Sequence, residues 1–286
     1  MKEFIFLFKL LLCSLVLSGG VALADDSIPA DQISLTTPVY KPTFHPALGT
    51  YTYEVSWQGI PAAEVKVGVE QSGGKYSIWT KVRTYGAIDL FYKLRYQARA
   101  KLSSVDFSPL QSVYHQTENS RIKDTELTFM PNGQIHSIRR KKGADPVYYS
   151  FNPNNFTLDP FSASFIARGV DWEVGKSNEF DAFNGKSRYL LTLTAEKKIT
   201  MEVNGVERPV WVIKPHVETL TSKSPSKLRE AWIYMTADSF REILEIKSEV
   251  FIGTVKTKLD SFEPSRISHP GTQLAAHYLQ KEISIN

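Results

Sequence analysis

The chain has 286 residues, and its charges nearly balance: 34 Lys and Arg stand against 30 Asp and Glu, a formal net charge of +4. So small and diffuse an excess of positive charge argues against a nucleic-acid partner. The single cysteine, Cys13, lies near the N-terminus, so the rest of the chain has no thiolate nucleophile, no zinc–cysteine site and no disulfide.

The first 24 residues have the pattern of a secretory signal peptide. Lys2 precedes an apolar block at residues 4–17, and the segment ends with Ala22 and Ala24 on either side of a leucine. A basic start, an apolar middle and an A-x-A exit are the features that direct a chain to export and cleavage. We predict cleavage after Ala24.

Two alternatives to cleavage follow from the same segment. An uncleaved membrane anchor is disfavoured because the apolar block is shorter than the ~20 residues that a spanning helix needs. Acylation at Cys13 is disfavoured because the bulky Leu12 precedes it, where a small residue would be expected. No later apolar run approaches spanning length, so we expect no transmembrane anchor after cleavage.

The remaining chain divides by composition into three parts. Residues 25–47 are rich in Pro, Ser and Thr without a sustained period and are predicted to be a leader or linker. Residues 48–263 are predicted to form a single β-rich domain. Residues 264–286 have weak apolar content and are predicted to be a loosely ordered tail.

Apolar and polar residues alternate through most of the predicted domain, which indicates strands with one buried face. Short turns join the first three, at residues 50–58, 64–69 and 76–82, so these strands are predicted to be antiparallel. Two segments break the alternation and are predicted as short helices, 86–92 and 159–168, the second with Pro160 in its first turn. The other predicted strands are 94–102, 110–117, 124–129, 134–139, 172–181, 187–194, 197–203, 210–218, 229–235 and 245–260.

The predicted fold class is mainly β: a large antiparallel curved sheet or an incompletely closed barrel with two short helices. Several strands are nine or ten residues long, roughly 30 Å at about 3.3 Å per residue, which exceeds the usual five or six. Residues 210–213 and 232–235 are apolar on both faces, so something must cover the second face: a helix, another sheet or a ligand.

Four blocks resemble the bacterial family called "domain of unknown function 3108". They are residues 53–62 (YEVSWQGIPA), 90–95 (LFYKLR), 159–168 (DPFSASFIAR) and 232–238 (WIYMTAD), the last followed by Gly253. The resemblance spans about residues 48–262 in order; Ile243-Leu244 depart from it where the family carries a proline. It implies an exported, mostly β envelope protein of Gram-negative bacteria, located in the periplasm, and brings no established activity or catalytic residues. More loosely, the expected architecture is similar to that of periplasmic lipoprotein carriers, whose open barrels hold acyl chains.

Motifs of catalysis are absent from the sequence. There is no G-x-S-x-G elbow, H-E-x-x-H helix or glycine-rich phosphate loop. No two histidines are spaced to form a local metal box, and His115 is interpreted as an ordinary sheet residue. Glu54 and Glu64 lie on neighbouring predicted strands, but nothing sets the separation that a glycosidase needs. We predict no cofactor, no metal site and no catalytic residue, and leave open whether the protein is an enzyme.

Two sets of residues are candidates for binding. Large aromatic side chains could wall an apolar cavity that holds acyl chains: Trp57, Trp79, Phe91, Trp211 and Trp232. The densest run of charge could contact the phosphates of a membrane surface, although a solvated loop explains it as well: Arg139, Arg140, Lys141 and Lys142.

Three hypotheses for function follow. The first is a non-catalytic periplasmic protein that binds a lipidic or amphipathic envelope component in its curved sheet. The second is an envelope scaffold that recruits protein partners by strand addition at an exposed edge. The third is a hydrolase of the cell wall. An apolar cavity would favour the first, a filled core with a bare apolar patch the second, and a polar cleft with converging carboxylates or histidines the third.

Overall fold

A computed structural model describes residues 32–35, 37–203, 205–221, 230–250 and 253–265. The predicted cleavage site at Ala22 and Ala24 lies outside these residues, as does nearly all of the predicted tail. The described residues form two helices, α1 (Gly86–Phe91) and α2 (Pro160–Gly169). Their strands are β1 (Gly49–Trp57), β2 (Ile60–Ser72), β3 (Lys75–Thr84), β4 (Leu94–Ser103), β5 (Pro109–Glu118), β6 (Arg121–Phe129), β7 (Ile135–Lys141), β8 (Ala144–Phe151), β9 (Thr157–Leu158), β10 (Ser177–Phe183), β11 (Arg188–Val203), β12 (Val206–Thr219), β13 (Glu230–Thr236), β14 (Ile243–Val250) and β15 (Gly253–Pro264).

These strands form one 15-stranded sheet in the order β8-β7-β6-β5-β4-β3-β2-β1-β15-β14-β13-β12-β11-β10-β9. Within the described part of the chain, each strand pairs with its neighbour in sequence, except that β1 pairs with β15 and β8 does not pair with β9. All ladders are antiparallel apart from the two-residue β9–β10 pair. The sheet thus consists of two meanders, β1–β8 and β10–β15 with the short parallel strand β9 at the outer edge of the second, joined by one long-range ladder.

The sheet curls until its two ends meet without a ladder between them. Ser137 Oγ on β7 donates a hydrogen bond to the carbonyl of Gly185, in the turn after β10, at 2.8 Å. Phe151 on β8 packs edge-on against Phe183 on β10, with ring centroids 5.0 Å apart. The structure therefore confirms the predicted class, a large curved antiparallel sheet that forms an incompletely closed barrel.

Helix α2 fills part of the concave side of the sheet. Its N-cap is Asp159, whose carboxylate accepts a hydrogen bond from the Ser162 backbone N–H at 2.7 Å. The same carboxylate accepts hydrogen bonds from Ser112 and Tyr114 on β5. Burial raises the pKa of Asp159, and these donors act in the opposite direction. The cap thus fixes where the helix begins and ties it to the sheet.

Helix α1 is a short segment at one end of the sheet, between β3 and β4. Asp89 anchors it: Arg95 donates to both carboxylate oxygens, at 2.7 and 2.9 Å, and Thr84 Oγ1 donates at 2.6 Å. The hydrogen bonds from Arg95 hold the pKa of Asp89 at about 2. Both helices lie where the sequence predicts them, within one residue at each end.

Part of the predicted leader contacts the domain. The backbone N–H of Thr43 donates to the carbonyl of Gly169 at 3.1 Å, and Phe44 is buried against α2. The ring of Tyr40 lies 4.9 Å from that of Phe180, and the Ile33 carbonyl accepts a hydrogen bond from Arg188 at 3.2 Å. These residues extend the core rather than leading away from it.

An ion pair is fully buried between β10 and β11. Arg188 Nη2 lies 2.5 Å from Asp181 Oδ2, and neither side chain is exposed to solvent. Thr157 on β9 also donates to this carboxylate, at 2.6 Å. Because charges out of water require such partners, the pair holds β9, β10 and β11 in one arrangement. Within the described residues, no helix has both the length and the apolar character to cross a membrane.

Candidate functional site

A partly open apolar pocket lies between α2 and strands β11–β14, with a cavity volume of about 100 Å³. All but three of its lining residues are apolar, the exceptions being Ser164, Arg168 and Ser248. The apolar lining residues are Pro160, Ala163, Ala167, Trp172, Leu191, Leu193, Ile213, Pro215, Ala231, Ile233, Met235, Ile243 and Ile246.

The pocket exists because the side chains on the two faces of α2 differ in size. On one face, Phe161 and Phe165 fill the core, with the ring of Phe161 stacked on Tyr114 at 6.0 Å and that of Phe165 lying 5.7 Å from Phe107. On the other face, the helix presents mostly small side chains at helical spacing, among them Ala163 and Ala167. Small side chains leave space where the helix crosses the strands.

The opposite wall of the pocket is a row of isoleucines across three strands. Ile213 on β12 pairs with Ile233 on β13, and Ile233 pairs with Ile246 on β14. Cross-strand partners lie on the same face of a sheet, so all three face α2. Their β-branched side chains are stiff, which makes this wall a firm apolar surface.

Arg168 supplies the one charged side chain that lines the pocket. Its Nε donates to the carbonyl of Arg241 at 2.8 Å and its Nη2 to that of Phe240 at 3.3 Å. Its guanidinium also lies over the rings of Phe44 and Phe165, at 4.8 and 5.2 Å. No carboxylate of the described chain lies within ion-pair distance of it, so its direct partners are these carbonyls and rings together with the hydroxyl of Tyr51.

The remaining polar groups at the pocket are serines. Ser248 Oγ is buried and has no hydrogen-bond partner among the described residues, so it could donate to a polar atom of a ligand. Neither a carboxylate nor a His, Lys or Cys side chain lines the pocket. Such side chains are the usual general acids and bases, so the polar chemistry of the pocket rests on the guanidinium of Arg168 and on the hydroxyls of Ser164 and Ser248.

None of the five predicted cavity aromatics is among the residues that line this pocket. Trp232 lies on the convex face, where Lys247 is 5.1 Å from its ring centroid and Nε1 donates to Glu196 at 3.2 Å. Trp57 and Trp211 are partly exposed and pack against the edge of the core.

The other two aromatics lie elsewhere on the sheet. Trp79 on β3 covers Gly68 of β2 so closely that a Cβ at Gly68 would overlap its ring. Phe91 on α1 is 71% exposed. The structure does not bring the five residues together, and ligand contact by any of them stays a prediction.

The predicted basic run spans the end of β7. Arg139, Arg140 and Lys141 belong to that strand, and Lys142 begins the turn to β8. Because side chains alternate along a strand, Arg140 lies on the face opposite Arg139 and Lys141. Arg140 forms an ion pair with Glu126, whereas the other three form none with the described residues.

The carboxylates considered for acid–base chemistry are direct cross-strand partners. Glu54 on β1 pairs with Glu64 on β2, as their predicted strands suggested. Lys66 lies 3.9 Å from the Glu64 carboxylate, and the Tyr85 hydroxyl donates to Glu54 at 3.4 Å. Both glutamates keep contact with solvent and stand away from the pocket. Among the described residues, no group of His, Asp and Glu side chains could hold a metal ion.

The comparisons with solved structures show the fold. A β-barrel-like protein of domain of unknown function DUF1849 from Brucella abortus aligns with a TM-score of 0.53 and 8% identity, covering 78% of this chain and 100% of that one. A Bacteroides fragilis protein described as exported, with a YmcC-like fold, aligns with a TM-score of 0.34 and 8% identity over 78% of this chain and 99% of that one. A Parabacteroides distasonis protein described as a lipoprotein aligns with a TM-score of 0.30 and 10% identity over 80% of this chain and 100% of that one.

The sequence comparisons show the family. None of the curated proteins matches the chain. The family model described as "Protein of unknown function (DUF3108)" matches residues 52–260. This range contains the four blocks on which the resemblance was based, together with every strand that lines the pocket. Because the match covers well over half of its length, the chain belongs to the DUF3108 family.

Proposed function

We propose that the protein is an exported, non-catalytic binding protein of the bacterial cell envelope, which holds the apolar chain of a lipidic or amphipathic molecule between α2 and β11–β14. The observation that carries the proposal is the partly open pocket with an almost entirely apolar lining. Pockets that bind small molecules combine such walls with a few polar groups. Here Arg168 and Ser248 are those groups.

The size of the pocket sets how much ligand it holds. A cavity of about 150 Å³ accepts a benzene ring, so the space beside α2, about 100 Å³, accepts roughly four carbon atoms in proportion. Burying four methylene groups contributes about 3 kcal/mol before the costs of ordering. The pocket would therefore hold a segment of an acyl chain, with the rest of the ligand outside.

The location we propose is the periplasm. It is supported by the basic start, the apolar block and the A-x-A exit of residues 1–24. Fractionation of cells that express the full chain, with Edman sequencing of the periplasmic product, tests this part: a chain that begins at Asp25 is expected, and retention in the cytoplasm would contradict it.

Lipid analysis tests the binding function directly. The protein is purified from the periplasm without detergent, and extracted lipids are identified by mass spectrometry. Displacement of a fluorescent fatty-acid probe by unlabelled fatty acid is measured on the same sample. We expect both a co-purifying lipid and displacement, and the absence of both would refute the proposal.

Arg168 provides a second test of the ligand's chemistry. A hydrogen bond to a charged group contributes about 1.5–3 kcal/mol, so Arg168→Gln is expected to weaken the binding of a fatty acid by about tenfold or more. The corresponding fatty alcohol has no anionic group and should bind the variant and the unchanged protein alike. Equal losses for both ligands would mean that the arginine supports the pocket structurally.

A further inference from the structure

Three large apolar side chains are exposed together at one end of the sheet. Leu90 and Phe91 on α1 are 84% and 71% exposed, and Ile60, at the start of β2, is 51% exposed. The backbone N–H of Tyr85 donates to the carbonyl of Ala62 at 3.1 Å, which brings α1 to the beginning of β2. We call Ile60, Leu90 and Phe91 the apolar tip. Contiguous exposed apolar surface marks interaction sites, and Leu90 and Phe91 are consecutive residues of one helix.

Basic side chains lie on the concave face at the same end. Lys123 on β6 pairs directly with Lys141 on β7, and the buried Thr125 pairs with Arg139. Arg121 is two residues before Lys123 and therefore on the same face. We call Arg121, Lys123, Arg139 and Lys141 the basic rim. Like charges at directly opposite positions destabilise a sheet, so the pairing of Lys123 with Lys141 favours the approach of an anion.

The protein itself supplies one carboxylate beside the rim, Glu118, which is the direct cross-strand partner of Arg121. No member of the basic rim forms an ion pair within the described structure, and Glu118 is the one carboxylate that acts on Lys123. Burial lowers the pKa of Lys123, and its three cationic neighbours lower it further. Arg140, on the opposite face of β7, contrasts with the rim because it is neutralised by Glu126.

The apolar tip and the basic rim are linked by hydrogen bonds. Lys93, two residues after α1, donates its backbone N–H to Asn119 Oδ1 at 2.9 Å and accepts a hydrogen bond from the Asn119 backbone N–H at 2.8 Å. Asn119 lies in the turn that leads directly to Arg121 and β6. Asp89, bound by Arg95 and Thr84, fixes α1 itself. Both surfaces are therefore held at one end of a rigid sheet.

We propose that this end of the domain docks on an anionic phospholipid surface, with Leu90 and Phe91 inserted among the headgroups and the basic rim facing the phosphates. Apolar side chains beside cations are the combination that binds peripheral proteins to such membranes. A protein partner would have to match the same charge on the concave face, whereas a bilayer offers many phosphates at once. This inference does not depend on the pocket, which lies against other strands.

Vesicle sedimentation tests the inference on the purified protein. The vesicles contain phosphatidylethanolamine with phosphatidylglycerol, and the reference vesicles contain phosphatidylcholine alone. We expect binding to the anionic vesicles, lost by about tenfold or more in Phe91→Glu. Each cation near an anionic surface contributes about a factor of five to binding, so Lys141→Glu is expected to weaken it by at least that factor.

Two matched controls separate docking from general effects. Val105, 88% exposed, lies in the β4–β5 turn at the opposite end of the sheet, so Val105→Glu should leave binding unchanged. Arg99 is exposed in the middle of β4, and Arg99→Glu, the control for the charge reversal at Lys141, should also leave binding unchanged. Because all four positions are exposed, the variants should unfold at the same denaturant concentration as the unchanged protein.

Several results would overturn the inference. Equal sedimentation with both vesicle types would exclude recognition of anionic lipid. Losses in Val105→Glu as large as those in Phe91→Glu would exclude docking through the apolar tip. Analytical ultracentrifugation tests whether a second copy of the protein occupies the tip. We expect a monomer; a dimer that Phe91→Glu converts to monomer would identify the tip as a self-interface and overturn the inference. Fatty-acid probe displacement, measured on the same variants, should be unchanged, so a failure of docking is distinguishable from a failure of the pocket.

Discussion

Filling the pocket should stabilise the protein, whereas the same change in the packed core should destabilise it. Ala231 on β13 is 1% exposed and lines the pocket, and Ala182 on β10 is fully buried away from it. Ala231 pairs with Ser248 in an antiparallel ladder, and Ala182 pairs with Tyr189 in an antiparallel and with Leu158 in a parallel one. Ala231→Leu and Ala182→Leu therefore add the same three carbon atoms at buried strand positions. The two variants differ in whether space is present.

The magnitude follows from the pocket volume. About 100 Å³ accepts roughly four carbons by the benzene reference, so the added group fits. Three buried carbons at about 0.8 kcal/mol each contribute about 2.4 kcal/mol, and the ordering of a leucine side chain costs about 0.5–1 kcal/mol. We expect Ala231→Leu to raise the free energy of unfolding by about 1.5 kcal/mol. Overpacking at Ala182 should lower it by about 1–3 kcal/mol.

Urea unfolding followed by tryptophan fluorescence measures both changes. The midpoints should move in opposite directions with the slope unchanged, which shows that stability and not the unfolded state has changed. The Ala231→Leu variant should also lose displacement of the fatty-acid probe, since the leucine occupies the ligand's space. Equal destabilisation of the two variants would show that the pocket cannot accommodate three added carbon atoms, and the proposed binding mode would then be wrong.

Three further substitutions test other parts of the structure. Gly68→Ala should destabilise the protein by about 1–3 kcal/mol because the added Cβ overlaps the ring of Trp79. In a double-mutant cycle, combination with Trp79→Ala should remove most of that loss. Additive losses in the double variant would contradict this contact. Asp181→Asn removes the carboxylate that pairs with the fully buried Arg188 and should cost about 3–5 kcal/mol in urea unfolding. A loss under 1 kcal/mol would be inconsistent with a desolvated pair. Asp89 has a folded-state pKa of about 2, which is below its unfolded value. Its contribution to the free energy of unfolding is therefore fully present above about pH 4 and is lost as the pH falls toward 2. Asp89→Asn should flatten this acid dependence, and a plot of stability against pH parallel to that of the unchanged protein would exclude the effect.

The fold class could be predicted from the sequence because its signals are local. Alternation along β1–β4 and turns of a few residues specify antiparallel pairs without knowledge of the rest of the chain. Strand β8 was missed because it is an edge strand, exposed at almost every position and interrupted by Pro146, so it has no buried face to produce a period. The two-residue β9 is too short for any pattern.

The pocket could not be predicted because it depends on which residues meet across long separations. The predicted site residues were large aromatics, but large side chains fill space, as Phe161 and Phe165 do. The pocket forms where Ala163 and Ala167 face the strands, and their helical spacing was visible in the sequence. Which strands they would face was not, since that depends on the register of β11–β14 and on how the sheet curls.

The ladder between β1 and β15 has a consequence for the order of events during synthesis. It pairs Gly49 with Pro264 and Trp57 with Val255, so the first strand of the domain acquires its outer neighbour only when the last strand has left the ribosome. Until then the backbone groups on that edge of β1 have no strand to pair with, and no ladder joins the two halves of the sheet. A chain built in this way completes its fold only after its last strand has been synthesised.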